Sequence, residues 1–167
     1  MSSPEIPLST KSRKSATPPT NLSIMNFTHT LPATAIADPV AETRILIVDD
    51  ELAMQALASA IIKKLGYDPA AASSGEEAVE MYRQASNEGR RYDVVVMDLA
   101  LPGGISGLEA TLAIKQIDGG AKVIVSSGYL EQNARGAALE HGFAGILPKP
   151  YTAERLAAEL RWVLKQA

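Results

Sequence analysis

Residues 92–104 read YDVVVMDLALPGG, and this stretch decides the fold. Val94, Val95, Val96 and Met97 form an unbroken apolar run, the pattern of a strand buried on both faces of a sheet. The run ends in Asp98, and Pro102-Gly103-Gly104 then turn the chain. A carboxylate at the rim of a hydrophobic core costs several kcal/mol or more unless it has a partner. Asp98 therefore needs a cation or a reaction.

Working outward, the same unit repeats. RILIV precedes a helical stretch from about Glu51 to Leu65. Its Leu52, Ala56, Leu57, Ala60, Ile61 and Leu65 recur near a 3.6-residue period and are expected to share a core face; Gly66 is expected to end the helix. YDPAAAS reads as a weak strand, and Ser74 with Glu77 suggests a capping box opening a helix that turns Ala78, Val79 and Tyr82 inward. After the central strand come a helix through Leu108, Leu112 and Ile114, and the strand KVIVSS. A helix from about Leu130 to Glu140 follows, ending at Gly142, then the strand FAGIL. A last helix from about Thr152 places Leu156, Leu160 and Val163 on its core face. Strands alternating with helices imply right-handed crossovers and a parallel sheet covered on both sides. The expectation is one doubly wound α/β domain over residues 43–167.

Residues 1–42 differ in composition. They are rich in Ser, Thr and Pro and lack an apolar period, so they are expected to be a disordered tail. Lys11, Arg13 and Lys14 form a small basic cluster without the amphipathic arginine-rich face of a transit peptide. The full chain has 167 residues, 16 Lys and Arg against 19 Asp and Glu, and no Cys. This excludes disulfides and thiolate metal sites, and the slight acidity argues against a nucleic-acid surface. No apolar run reaches the roughly 18 residues of a membrane span. A soluble, cytoplasmic protein is expected.

The polar residues gather at one end of the strands. The first strand ends in Asp49-Asp50, the third in Asp98 and the fourth in Ser126-Ser127, while the fifth runs into Lys149-Pro150. Singly, an Asp after a strand is an ordinary cap or turn former, and a Lys an ordinary surface charge. In an open α/β sheet, however, ligands bind outside the carboxyl ends of the strands, where the strand order reverses. If the first and third strands are neighbours, Asp49, Asp50 and Asp98 converge. Two carboxylates about 5 Å apart repel by roughly 3 kcal/mol at an effective dielectric near 20. A divalent cation removes the conflict, and an all-oxygen site without His or Cys suits Mg2+. Asp98 then reads as a nucleophile that accepts a phosphoryl group, with Lys149 as an opposing cation and Ser126 as a hydroxyl to the phosphoryl oxygens.

In order and spacing, ILIVDDE, VVVMDLALP, VIVSSGY and GILPKPY resemble the receiver domains of two-component response regulators. The resemblance covers the chain from Arg44 onward and implies the flavodoxin-like (βα)5 fold with strand order 2-1-3-4-5. It implies Asp98 as phosphoacceptor, Asp50 as the acidic Mg2+ ligand with Asp49 as its partner, and the Ala100 backbone carbonyl as a further ligand. It also implies Ser126 as the hydroxyl that moves toward the phosphoryl group and Lys149 as the family lysine. Two features depart from the simplest members. The loop LPGGISGLE is one residue longer and, with SSGY, looks more like the receivers at the ends of hybrid histidine kinases. The aromatic switch position, three residues before Lys149, is Ile146.

The expected function is a stand-alone receiver. It takes phosphoryl from a histidine kinase or histidine phosphotransfer protein, with no turnover beyond its own phosphorylation and dephosphorylation. No helix-turn-helix pattern follows the last helix, so output is expected by protein contact or phosphorelay rather than DNA binding, through a surface that includes Ile146 and Trp162. One alternative is a magnesium-dependent aspartyl phosphatase, which commonly carries a second acid two residues after its nucleophile, where this chain has Ala100. The other is a non-phosphorylated pseudo-receiver that serves as a binding module.

Overall fold

β1 (Arg44–Val48), β3 (Val94–Asp98) and β4 (Val123–Ser127) form the centre of a parallel sheet, with β2 (Asp68–Ala72) and β5 (Gly145–Pro148) at its edges. The order is β2-β1-β3-β4-β5. The computed structural model of the chain describes residues 43–128 and 138–166. The expected tail, and all but the end of the helix expected from Leu130, lie outside the described residues. Pro69, which cannot donate to a ladder, sits in edge strand β2, where Pro is tolerated.

Alternation along the central strands builds two cores. Leu46, Val48, Val95, Met97, Val123 and Val125 face α2 (Gly75–Asn87) and α3 (Gly107–Ile117), packing with Tyr82 and Ile114. Ile45, Ile47, Val94, Val96, Ile124 and Leu147 face α1 (Leu52–Lys64) and the C-terminal helix (Ala153–Leu164). Burial on both faces explains why these strands read as continuous apolar runs.

The helix ends carry their own chemistry. Ser74 accepts from the Glu77 amide, but the Glu77 carboxylate accepts from Ser73 N at 2.6 Å, one residue earlier than a reciprocal box requires. The full capping box belongs to α3, where Ser106 and Glu109 satisfy each other's amides. Gly66 follows the last turn of α1 at φ +84°, the left-handed conformation that only glycine adopts without penalty.

One helix, α1, faces differently from the sequence expectation. On α1 the buried residues are Ala58 and Ile62, flanked by Met54, Ile61 and Leu65. Leu52 is 73 % exposed, and Ala56, Leu57 and Ala60 also face solvent. On α3 the core side chains are Ala110, Thr111 and Ile114, while Leu108 and Leu112 lie outward. The C-terminal helix turns Leu156, Leu160 and Val163 inward, as expected.

Candidate functional site

The order β2-β1-β3 brings the ends of β1 and β3 together at the carboxyl edge of the sheet. Asp49 is 3 % exposed and Asp98 4 %. Each is held in the same way. Asp49 Oδ1 accepts from Glu51 N at 3.0 Å, and Asp98 Oδ1 accepts from Ala100 N at 2.9 Å. These Asx-type turns fix one oxygen of each carboxylate by local backbone.

The second oxygens share one cation. Lys149 Nζ lies 2.7 Å from Asp49 Oδ2 and 2.5 Å from Asp98 Oδ2. Burial alone would lower the Lys149 pKa, but its hydrogen bonds and charge attraction to both aspartates outweigh this and raise it. Lys149 is therefore ammonium at neutral pH. The following peptide, Lys149–Pro150, is cis. Tyr151, also buried, has its phenol pKa pushed up by desolvation and then by the Asp49 charge.

Asp50 completes the cluster from the solvent side. It is exposed, and one oxygen each from Asp49, Asp50 and Asp98 lie within 4.8 Å of one another. Three carboxylates against one ammonium leave a formal excess of two negative charges, which a divalent cation matches. The donors are all hard oxygens, the preference of Mg2+ rather than of a transition metal. The residues fit the ion.

Ser126 is the register partner of Asp98 on β4. It is 2 % exposed, and its Oγ has no hydrogen-bond partner among the described residues. A buried hydroxyl without a partner costs about 1–3 kcal/mol, so Ser126 Oγ is open to an incoming hydrogen-bonding group. α3 starts against the same strand end. A Cβ on Gly107 would lie 1.9 Å from the Asp98 carbonyl oxygen, so only glycine lets the helix approach this closely.

The structure thus brings Asp49, Asp50, Asp98, Ser126 and Lys149 together, with Ala100 contributing its amide to Asp98. It separates the other two residues singled out from sequence. Ile146 is 6 % exposed and packs in the core, because alternation along β5 turns it inward; it does not belong to a surface. Trp162, 42 % exposed, lies on the outer side of the C-terminal helix. Two residues escaped the sequence reading. Gln55 donates to main-chain carbonyls beside the acidic cluster, and buried Glu159 accepts from Ile146 N at 2.9 Å. Neither belongs to a motif.

The response regulator receiver domain profile matches residues 45–161. The chemotaxis protein CheY of Thermotoga maritima is 36 % identical over 123 residues, covering 73 % of this chain and 98 % of that protein. The hybrid signal transduction histidine kinase I of Dictyostelium discoideum is 30 % identical over 111 residues, covering 64 % of this chain and 6 % of that one. Among solved structures, a CheY-like response regulator receiver domain protein from Methanospirillum hungatei superimposes with a TM-score of 0.61 at 25 % identity, covering 74 % of this chain and 94 % of that one.

Proposed function

The chain belongs to the response regulator receiver domain family of two-component signalling, and from that premise we propose that Asp98 accepts a phosphoryl group from the phosphohistidine of a histidine kinase or phosphotransfer protein. An Asp98 carboxylate oxygen forms a bond to phosphorus as the phosphorus–nitrogen bond breaks, and the donor imidazole leaves with the bonding pair. One observation carries the reading: an ammonium bridges two buried carboxylates, beside a buried hydroxyl with no hydrogen-bond partner among the described residues.

The residues divide the work by charge and reach. Asp98 is held by Ala100 N on one oxygen and Lys149 on the other, which orients it before the donor arrives. Lys149 Nζ can follow the negative charge onto the phosphoryl oxygens, and Ser126 Oγ can donate to another. Asp49, Asp50, Asp98 and the Ala100 carbonyl would hold Mg2+, which when bound neutralises charge on the transferred group. The phosphatase alternative lacks its second acid, since Ala100 occupies that position.

The outward face of α1 supports donor docking beside this pocket. Leu52, Ala53, Ala56, Leu57 and Ala60 are exposed, and α1 has no charged side chain before Lys63. An apolar helix face starting two residues after Asp50 suits packing against a donor helix. Trp162, on the C-terminal helix, is the anchor we assign to an output contact.

Intact-mass spectrometry after incubation with acetyl phosphate and Mg2+ tests the proposal. One phosphoryl adduct on the wild type and none on Asp98→Asn is expected. An adduct of equal yield on Asp98→Asn would move the acceptor elsewhere.

A further inference from the structure

Asp50 is the cation ligand held least by its own contacts. No hydrogen bond or ion pair reaches its carboxylate among the described residues, and it is exposed. Its direction therefore depends on the backbone that carries it, above all on the Asp49–Asp50 peptide plane.

Gln55 holds that plane. From the first turn of α1 its Nε2 donates to Asp49 O at 2.6 Å, with Ala72 O at 3.3 Å and Ser73 Oγ at 3.1 Å also in reach. Two of these partners are main-chain carbonyls, which only the NH2 end of the amide can satisfy, so the side-chain orientation is settled by chemistry. Asp49 N donates to the same Ala72 carbonyl at 3.1 Å. One half-buried side chain thus joins the turn after β1 to the turn after β2. The direction of the Asp49 carbonyl sets the direction of the Asp50 amide and the point from which the Asp50 side chain leaves.

We propose that Gln55 is a positioning residue for the divalent cation: it fixes the Asp49–Asp50 peptide and so preorganises the Asp50 carboxylate. The inference rests on the reading of the acidic cluster as a Mg2+ site. Residues that orient metal ligands from outside the coordination sphere typically change affinity by about 10–100-fold when removed. Gln55 acts through one backbone carbonyl, which puts its effect at the lower end, about tenfold. The effect belongs to cation affinity rather than to the transfer step, because Gln55 does not touch Asp98 or Lys149.

The test titrates the full chain with magnesium chloride by isothermal calorimetry, comparing wild type with Gln55→Met and Gln55→Ala. Both variants lack the donor but differ in volume, and Ala has the higher helix propensity. Both are expected to raise the Mg2+ Kd about tenfold. Half-maximal labelling of Asp98 should move to correspondingly higher Mg2+, with the rate at saturating Mg2+ unchanged. An unchanged Kd overturns the proposal, as does a loss of saturating rate at unchanged Kd. So does a loss in only one of two folded variants, or failure of both to fold. If only one variant folds, its Kd decides. A wild type that binds no Mg2+ instead overturns the reading of the site itself, which separates the two failures.

Discussion

Replacing Lys149 with Met removes the one cation that two buried carboxylates share. Nζ lies 2.5 Å from Asp98 Oδ2 and 2.7 Å from Asp49 Oδ2. At an effective dielectric near 20 each contact has a gross attraction of about 6 kcal/mol. Desolvation of the three groups cancels most of it, and removing one partner of a buried pair costs about 3–5 kcal/mol. For a domain of this size, 1 kcal/mol moves the melting temperature by roughly 3–5 °C. Without Mg2+, Lys149→Met is therefore expected to melt about 10–20 °C below wild type. Added Mg2+ should narrow the gap, because the variant has a larger negative excess and gains more from binding. The assay is thermal denaturation in EDTA and in Mg2+, for wild type, Lys149→Met, Asp98→Asn and the double variant. Asp98→Asn should cost the Lys149→Met background less than it costs wild type, since it removes a charge that has already lost its partner. Equal melting temperatures for wild type and Lys149→Met in EDTA, or strictly additive effects in the cycle, would refute the electrostatic account of the site.

Gly107→Ala puts a methyl 1.9 Å from the Asp98 carbonyl oxygen, a backbone atom that no rotamer change can relieve. A loss of about 1–3 kcal/mol and slower labelling of Asp98 are expected; unchanged stability in urea would show that α3 yields freely. Tyr82 donates to Asp118 Oδ2 at 3.0 Å, and burial, then the Asp118 charge, raise its phenol pKa. A pKa raised on folding contributes stability that is complete below the unfolded value near 10 and declines as pH rises above it. Tyr82→Phe should therefore be less stable at pH 8 but lose less than wild type between pH 10 and 11, checked by urea midpoints; parallel pH profiles would contradict this. Trp162→Ala should leave Asp98 labelling intact while weakening partner binding or self-association, measured by calorimetry and sedimentation. A wild-type fluorescence spectrum characteristic of a buried indole would contradict the outward placement.

What the sequence disclosed depended on how far a signal had to travel. Asp98 and Lys149 are 51 positions apart, yet both were legible, because one ends a strand, the other directly follows one, and a parallel sheet brings strand ends to one edge. The facing of α1 was not legible. Its sequence LAMQALASAIIKK is apolar on several sides, so a 3.6-residue period can be drawn through more than one stripe. Packing selected Ala58 and Ile62, which left Leu52 and Leu57 outside. Gln55 and Glu159 were missed because a Gln or Glu on a helix normally reads as solvent-facing, and their partners lie on other elements. Glu159 shows what such a residue contributes. β5 is an edge strand, and an unpaired edge amide invites another strand. Glu159 Oε1 occupies the Ile146 amide instead, and a Cβ on Gly145 would lie 2.4 Å from that same oxygen. The GI of GILPKPY is thus fitted to a carboxylate on the last helix as well as to the core. Because Ile146 lies on the strand that leads directly into Lys149, the backbone of the lysine that binds Asp98 is tied to the helix that carries Trp162. That tie joins the Asp98 pocket to the face we assign to output through one hydrogen bond, from the Ile146 amide to the Glu159 carboxylate.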